Sequence, residues 1–477
     1  MKNLKINKSI VVLAALVVLS SCQDLFKDKD IKTNPNYPTD APAEVIFNGA
    51  LVELGELYED TDARIAAMWS SQLTGLSRQH LTLAEYQVNT NTFGWFNYYY
   101  LAGHARLVQD KYTAFGNFKG AAAAAVVEVM AISKLTVLFG NIPYSEALQI
   151  EKFPHPKYDA QADVYTQMIS RLNDAIANFD KAGSISSDFI YGNDDAAWKA
   201  AANTLVARLY LHLGQYANAI SAANNGIPAG GDMLMPHGTS QGVDQNLHNV
   251  FFDINRPADT GCSYTDDTDN VFLVDLMKGR NNANTDETAL INHFFQVGLY
   301  TPGYDPNTTA SGMFSPDAPF PLLTFYENQL ILAEAKARTN DLNGALAALN
   351  AVRAQLSTGD VFGKTISATG RQYDSYALSD FDAAGIANPK NLATQQEALI
   401  YEILAQKYIL TFMQFEAYTD LRRSFKATPL VTLGIPAYPG IGQQIPNRYV
   451  IPQGEINTNP NTPNPVPDKS EKIPIFQ

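Results

Sequence analysis

For most of its length the chain spaces apolar side chains three and four residues apart, the period of an amphipathic helix. Residues 43–57 and 60–74 show this spacing and predict helices. A polar stretch, 75–93, predicts a loop. An aromatic-rich segment, 94–115, predicts a third helix. The clearest pattern lies at 120–139, where Ala121 to Ala125 lead into Val126, Val127, Val129, Met130, Ile132, Leu135, Leu138 and Phe139. It is apolar on most faces, which predicts a buried helix. Gly140 and Pro143 supply its stop. Residues 163–181 predict a helix with Asp163 at its start and Lys181 at its end, in favour of the helix dipole.

Two stretches repeat one another. Ala207 is followed by Tyr216 and Ala219, and Ala333 by Leu342 and Ala345, at the same spacings. This pattern resembles a tetratricopeptide unit: small side chains let two antiparallel helices approach, and a large apolar one plugs their turn. Ala405 and Ala417 form a weaker third copy. Long irregular segments, 228–320 and 357–394, interrupt these units. They are rich in Gly, Asn, Asp, Thr and Tyr, and loops of this length are usually functional or disordered. The Pro- and Asn-rich end, 428–477, reads as irregular wrapping chain. The expectation is a mostly α fold: one large domain, 43–477, with tetratricopeptide-like helix pairs as scaffold and long irregular ligand-binding segments.

The N-terminus has a different character. Lys2, Lys5 and Lys8 precede an apolar run from Ile10 to Leu19, about ten residues and too short to span a bilayer of ~30 Å. Leu19-Ser20-Ser21-Cys22 follows and resembles a bacterial lipobox. Residues 1–21 are then a lipoprotein signal peptide, Cys22 is the lipidated residue, and 22–42, with Thr33-Asn34-Pro35-Asn36-Tyr37-Pro38, is a tether. An ordinary signal peptide with a chance cysteine is the alternative. Acyl chains gain roughly 0.8 kcal/mol per buried CH₂ and anchor a protein without a membrane-spanning helix. Asp24, Asp28 and Asp30 loosely resemble the surface-export signal of Bacteroidetes lipoproteins, which implies display toward the cell exterior.

Composition narrows the function. The formal charge is −14, and removing residues 1–21 leaves 31 basic against 48 acidic residues. Such a surface repels phosphate backbones, so nucleic-acid binding is not expected. Only Cys22 and Cys262 are present, which excludes a disulfide scaffold and a cysteine-ligated zinc site if Cys22 is acylated. The seven histidines form no His-Glu-x-x-His pair, and His212 reads as a satisfied core residue. No Gly-x-Ser-x-Gly elbow or phosphate loop occurs. No cofactor, metal or catalytic residue is expected. Tyr264 to Asn270 is acidic, but it lacks the glycine and distal glutamate of an EF-hand loop.

Several phrases together resemble the SusD/RagB outer-membrane lipoproteins, in particular the SusD-like group. They are Thr33-Asn34-Pro35-Asn36, Phe139-Gly140-Asn141-Ile142-Pro143-Tyr144-Ser145-Glu146-Ala147, Tyr191-Gly192-Asn193-Asp194 leading to Trp198, Leu332-Ala333-Glu334-Ala335, Glu416-Ala417, Leu421-Arg422-Arg423 and Ile445-Pro446-Asn447-Arg448-Tyr449. The tail departs from that pattern, ending Ile473-Pro474-Ile475-Phe476 where a Trp-rich ending is expected. The resemblance implies a binding protein rather than an enzyme. Its partner would be a TonB-dependent transporter barrel of the SusC type, and its ligand a glycan or oligosaccharide, sometimes a peptide.

Aromatic rings and amides suit sugar rings, whose C–H faces are apolar. In Phe93-Gly94-Trp95-Phe96-Asn97-Tyr98-Tyr99-Tyr100, Trp95 is the candidate nearest the loop, and Tyr98 to Tyr100 read as core. Arg78, Tyr86 and Asn91 in the preceding loop are expected to be exposed. Tyr264, Tyr300 and Tyr304 are candidates in the second irregular region. Arg422 and Arg423 read as holders of an ion pair or of backbone carbonyls. A lipid-anchored glycoside hydrolase, which needs a carboxylate pair about 5–9.5 Å apart, and a peptide-binding or assembly lipoprotein are the competing functions.

Overall fold

A computed structural model of the protein describes residues 41–477. The expected signal peptide, Cys22 and nearly all of the tether lie outside the described residues. Helices α1 (Ala43–Tyr58), α2 (Thr61–Trp69), α3 (Arg78–Ala84), α4 (Phe96–Ala114) and α5 (Phe118–Phe139) form the first block. α5 is its axis. Every residue from Gly120 to Phe139 is buried, and the run of alanines lets α4 pack closely on it. The Asn117 side chain accepts from the Gly120 amide (3.1 Å) and caps the helix. Gly140, at φ +88° and ψ −124°, ends it in a conformation that essentially only glycine adopts. The two buried charges of α5 are partnered: Glu128 holds Arg106, and Lys134 reaches Asp60 and the Leu57 carbonyl.

α2 stops at Trp69, short of the expected residue 74. The Ser70 hydroxyl donates back to the Ala66 carbonyl (2.8 Å), and Ser71 turns left-handed (φ +55°). Thr74–Gly75 then pairs antiparallel with Thr260–Gly261, so this short strand is fixed by a partner far along the chain. The loop expected at 75–93 contains α3. That helix lacks a side-chain cap and is held by tertiary contacts.

The repeats correspond to helix pairs. α6 (Gln161–Asn178) leads into α7 (Asp195–His212) and α8 (Tyr216–Ala223). α9 (Phe272–Lys278) and α10 (Thr288–Phe294) lie in the long insertion. The later scaffold helices are α11 (Phe325–Arg338), α12 (Leu342–Thr358), α13 (Gln395–Leu410) and α14 (Phe415–Ser424). The small residues Ala207, Ala219, Ala333, Ala345, Ala405 and Ala417 are all buried where paired helices meet. Tyr216 and Leu342 pack half-buried at the turns. The third copy is therefore a real pair, although Gln414 occupies its plug position.

Buried ion pairs lock these pairs together. Arg208 makes a bidentate bridge to Glu327 (2.6 and 2.7 Å) and faces Glu416. Arg423 binds Glu334 (2.8 and 2.5 Å) and Asp420 (2.6 Å). Arg422 instead donates to the Tyr418, Val137 and Asn447 carbonyls, so each of the two readings of these arginines holds for one of them. His212 sits buried between Tyr165 (3.0 Å) and Glu416 (3.1 Å).

The irregular segments contain short two-stranded ladders, each antiparallel: Met233–Met235 with Phe320–Leu323, Phe295–Val297 with Tyr304–Pro306, and Thr285–Asp286 with Gln372–Tyr373. Phe294, Phe295 and Phe314 close on Phe412 in the α13–α14 turn and anchor the insertion to the scaffold. The C-terminal chain wraps back over the first block and carries α15 (Gln453–Thr458). Tyr449 stacks on Phe93 (4.2 Å, 19°) and donates to the Asp62 carbonyl. The tail that departs from the family pattern is a plug: Ile473, Ile475 and Phe476 are buried, and Phe476 packs on His212 and Arg422.

Candidate ligand-binding groove

Beyond Gly140 the chain leaves the core and returns at Asp159. The Asp159 carboxylate closes the base of this excursion, accepting from the Tyr144 amide (2.9 Å), the Ser145 amide (2.6 Å) and the Ser145 hydroxyl (2.7 Å). A short antiparallel bridge between Ile142 and Asp159 completes the clasp. The intervening residues 146–158 form a compact Ω-type loop beside α4. Asn459 and Asn461 donate to the Pro156 and His155 carbonyls and tie its returning limb to the C-terminal chain.

Between α4, this loop and α15 lies a groove of about 1210 Å³. Trp95 forms its floor. It is only 5% exposed and packs against Tyr99, Phe139 and Tyr158. Phe96 and Tyr100, one helical turn apart on α4, stack on each other (5.9 Å, 28°) and stand 71% and 59% exposed. Gly103 and Leu107 continue the same face. Leu148, Ile150 and Phe153 form the opposite wall, and Asn91, Gln453 and Glu455 the polar edge. From Phe96 to Asp110 the lined face of α4 runs about 21 Å at ~1.5 Å per residue.

The groove's polar base is already paired. Glu128 accepts from Arg106 Nε (2.9 Å), Gln109 Nε2 (2.8 Å) and the Tyr144 hydroxyl (3.1 Å), with Arg171 at 3.3 Å. Burial works against the Arg106 guanidinium, yet Glu128 lifts its pKa above the ordinary value. Burial, reinforced by Glu128, also pushes the Tyr144 hydroxyl well up. Tyr158 is pushed up by burial and by Glu455, to which it donates (3.3 Å). These tyrosines stay neutral donors. Among the described residues no three His, Cys, Asp or Glu side chains come together as a metal would need.

Only Asn91 and Trp95 of the expected ligand residues line this groove. Tyr86 was expected on an exposed loop and is buried instead. Its ring packs edge-on against Trp69, and its hydroxyl accepts from the Tyr438 amide (2.8 Å), so it holds the C-terminal chain to the core. Arg78 is exposed, but its guanidinium is held by the buried Asp259 (2.9 Å). Tyr264 and Tyr304 are half-buried in the insertion, against Tyr438 (5.5 Å) and under Lys278 (5.4 Å) respectively. Tyr300 is exposed, with its amide bound to Asp305. Of the tyrosines read as core, Tyr98 is buried and donates to Asp62 (2.7 Å), Tyr99 is half-buried, and Tyr100 faces the groove. Phe96 and Tyr100 were missed. The signal was present, because 96, 100, 103 and 107 fall on one face of α4 while Leu101, Ala105 and Val108 mark the core face. A helix with two apolar faces has one to spare.

Comparison with known proteins places the chain. The family described as SusD-like, starch-binding and associating with the outer membrane, matches residues 35–452. No curated protein matches. Among solved structures, a SusD/RagB family protein of Bacteroides thetaiotaomicron is 20% identical at a TM-score of 0.63, covering 88% of this chain and 95% of its own. A SusD homologue of Bacteroides fragilis is 18% identical at 0.65, covering 91% and 100%. A chitin-binding SusD homologue of Flavobacterium johnsoniae is 17% identical at 0.62, covering 90% and 98%.

Proposed function

Because the chain belongs to the SusD-like family, we propose that it is an outer-membrane surface lipoprotein, acylated at Cys22, that captures a glycan in the α4 groove and delivers it to a TonB-dependent transporter barrel of the SusC type. The observation that carries this reading is the exposed Phe96–Tyr100 pair above the Trp95 floor. Large exposed aromatics on a rigid helix cost solubility unless a ligand covers them. Asn91 and Gln453 on the groove edge supply amides for hydroxyls. Binding without turnover is consistent with the carboxylates here: of Asp110 and Glu455, which line the groove, Glu455 is engaged by Tyr158 and Asn459, and Glu128 behind Arg106 is saturated with donors.

The test is a glycan panel against the purified protein, read for both retention and cleavage. Phe96→Ala with Tyr100→Ala should weaken retention at least tenfold, since each ring contributes about 0.5–1.5 kcal/mol beyond its buried area. Tyr300→Ala, outside the groove, should leave it unchanged. Products formed at a catalytic rate, or retention indifferent to the double change, overturn the reading. Co-purification with a large barrel protein tests the transporter.

A further inference from the structure

The wall facing Phe96 and Tyr100 has an unusual character for a sugar site. Ile150 is 77% exposed and Leu148 38% exposed, and Leu107 on α4 is exposed as well. Leu148 also sits at φ +63°, a left-handed conformation that a branched apolar residue such as leucine rarely adopts. Its Cδ2 lies over Gly103, 3.5 Å from where a Cβ would stand, so the strain places this side chain at the rim of the groove. A polar or glycine residue there would relieve both the strain and the apolar exposure. Two unfavourable features at one position, aimed at a cavity, point to a ligand.

Hydroxyls pressed against this wall would lose their water without gaining a partner. A methyl group would instead be buried. Charge narrows the ligand further. The lining residues include two cations, Arg106 and Arg171, and Glu128 holds both. Asp110 and Glu455 add negative charge beside them. A carboxylate or sulfate on the ligand would meet no unengaged cation among these lining residues.

Resting on the reading of this groove as the glycan site, we propose that it selects neutral glycans carrying methyl groups, through an acetamido substituent or a 6-deoxy sugar, with Leu148 and Ile150 as the specificity-determining residues. Phe96 and Tyr100 stack on the ring faces. The aliphatic wall takes the methyl. The amides at the edge take the remaining polar groups.

Calorimetry with matched ligands tests this. One arm compares β-1,4-linked N-acetylglucosamine oligomers with glucose oligomers of the same linkage and length. The other compares D-rhamnose oligomers with D-mannose oligomers of the same linkage and length. A preference of roughly tenfold or more in either arm is expected, the lower end of what one methyl group contributes in a hydrophobic pocket. Leu148→Asn with Ile150→Asn should reduce that preference to within twofold. Asn tolerates the left-handed backbone, so the doubly changed protein should melt no lower than the parent. Equal binding of methylated and methyl-free ligands, or a preference that survives the double change, overturns the proposal while glycan capture stands. Failure of every glycan to bind, or binding of a peptide pool alone, overturns both.

Discussion

Asp159→Ala should loosen one wall of the groove without unfolding the protein. The carboxylate is buried and accepts three hydrogen bonds at the base of the 146–158 loop. The Ser145 hydroxyl is half-exposed and can turn to water when its partner is lost. The Tyr144 and Ser145 amides have no such recourse as long as the loop stays closed. Leaving a buried donor unsatisfied costs about 1–3 kcal/mol, so losing an acceptor shared by two amides costs the closed loop about 3 kcal/mol, or roughly 100-fold in its opening equilibrium. Hydrogen exchange of the Tyr144 and Ser145 amides should accelerate by that factor while exchange in α5 stays unchanged. Glycan affinity should fall severalfold, because an unclasped wall must be ordered on binding. Asp159→Asn keeps one acceptor oxygen and should fall between the two. If amide exchange in the alanine variant stays within threefold of the parent, the carboxylate is not the clasp and the reasoning fails.

Four further outcomes test the scaffold. Arg423→Met leaves Glu334 and Asp420 buried without their main partner and should cost about 3–5 kcal/mol in urea unfolding, with ligand affinity retained by whatever remains folded. Asp62, buried beside Asp60, has its pKa raised from 3.8 to about 7, with Lys134 opposing. The folded state therefore holds a proton that the unfolded state releases, and stability falls as pH rises from about 4 to 7. Asp62→Asn should flatten that slope in urea midpoints measured across the range. Glu416 behaves oppositely. Despite its burial, Arg208 and His212 hold it at about 2, so its contribution is complete above 4.5 and lost as pH falls toward 2. Gly140→Ala should destabilise by about 1–3 kcal/mol, and limited proteolysis should then cut near Ile473 and Pro474, the groups its Cβ would crowd.

Local patterns revealed the scaffold because each helix pair carries its own signature. The alanines at 207, 219, 333 and 345 are spaced by the geometry of two helices, and a reader needs only that spacing. The buried α5 was equally legible, since no amphipathic face can be drawn on it. The groove was half legible. Trp95 and Asn91 lie on it, but its other walls come from residues 146–158 and 452–458, and no periodicity ties either stretch to α4. Tyr86 shows the opposite failure. A polar loop suggests exposure, yet the C-terminal chain, more than 300 residues later, covers it: the Tyr438 amide donates to its hydroxyl and Lys469 to its carbonyl. Pairing Thr74–Gly75 with Thr260–Gly261 likewise draws the second tyrosine group toward the first loop without bringing it into the groove.

The protein buries a set of paired charges between its helices and leaves Phe96 and Tyr100 in the open, and this arrangement separates stability from recognition. The buried bridges of Arg208, Arg280 and Arg423 join segments distant in sequence and allow little rearrangement, because each partner alone would be an uncompensated charge. That rigidity lets α4 hold Phe96 and Tyr100 in the open, where a flexible surface would collapse onto them. Changes in the groove should therefore alter affinity at nearly constant stability, and changes in the ionic seam should alter stability at nearly constant affinity. A groove substitution that lowers the melting point as much as Arg423→Met would show that the two functions share residues, and that the exposed pair is core whose cover has yet to be found.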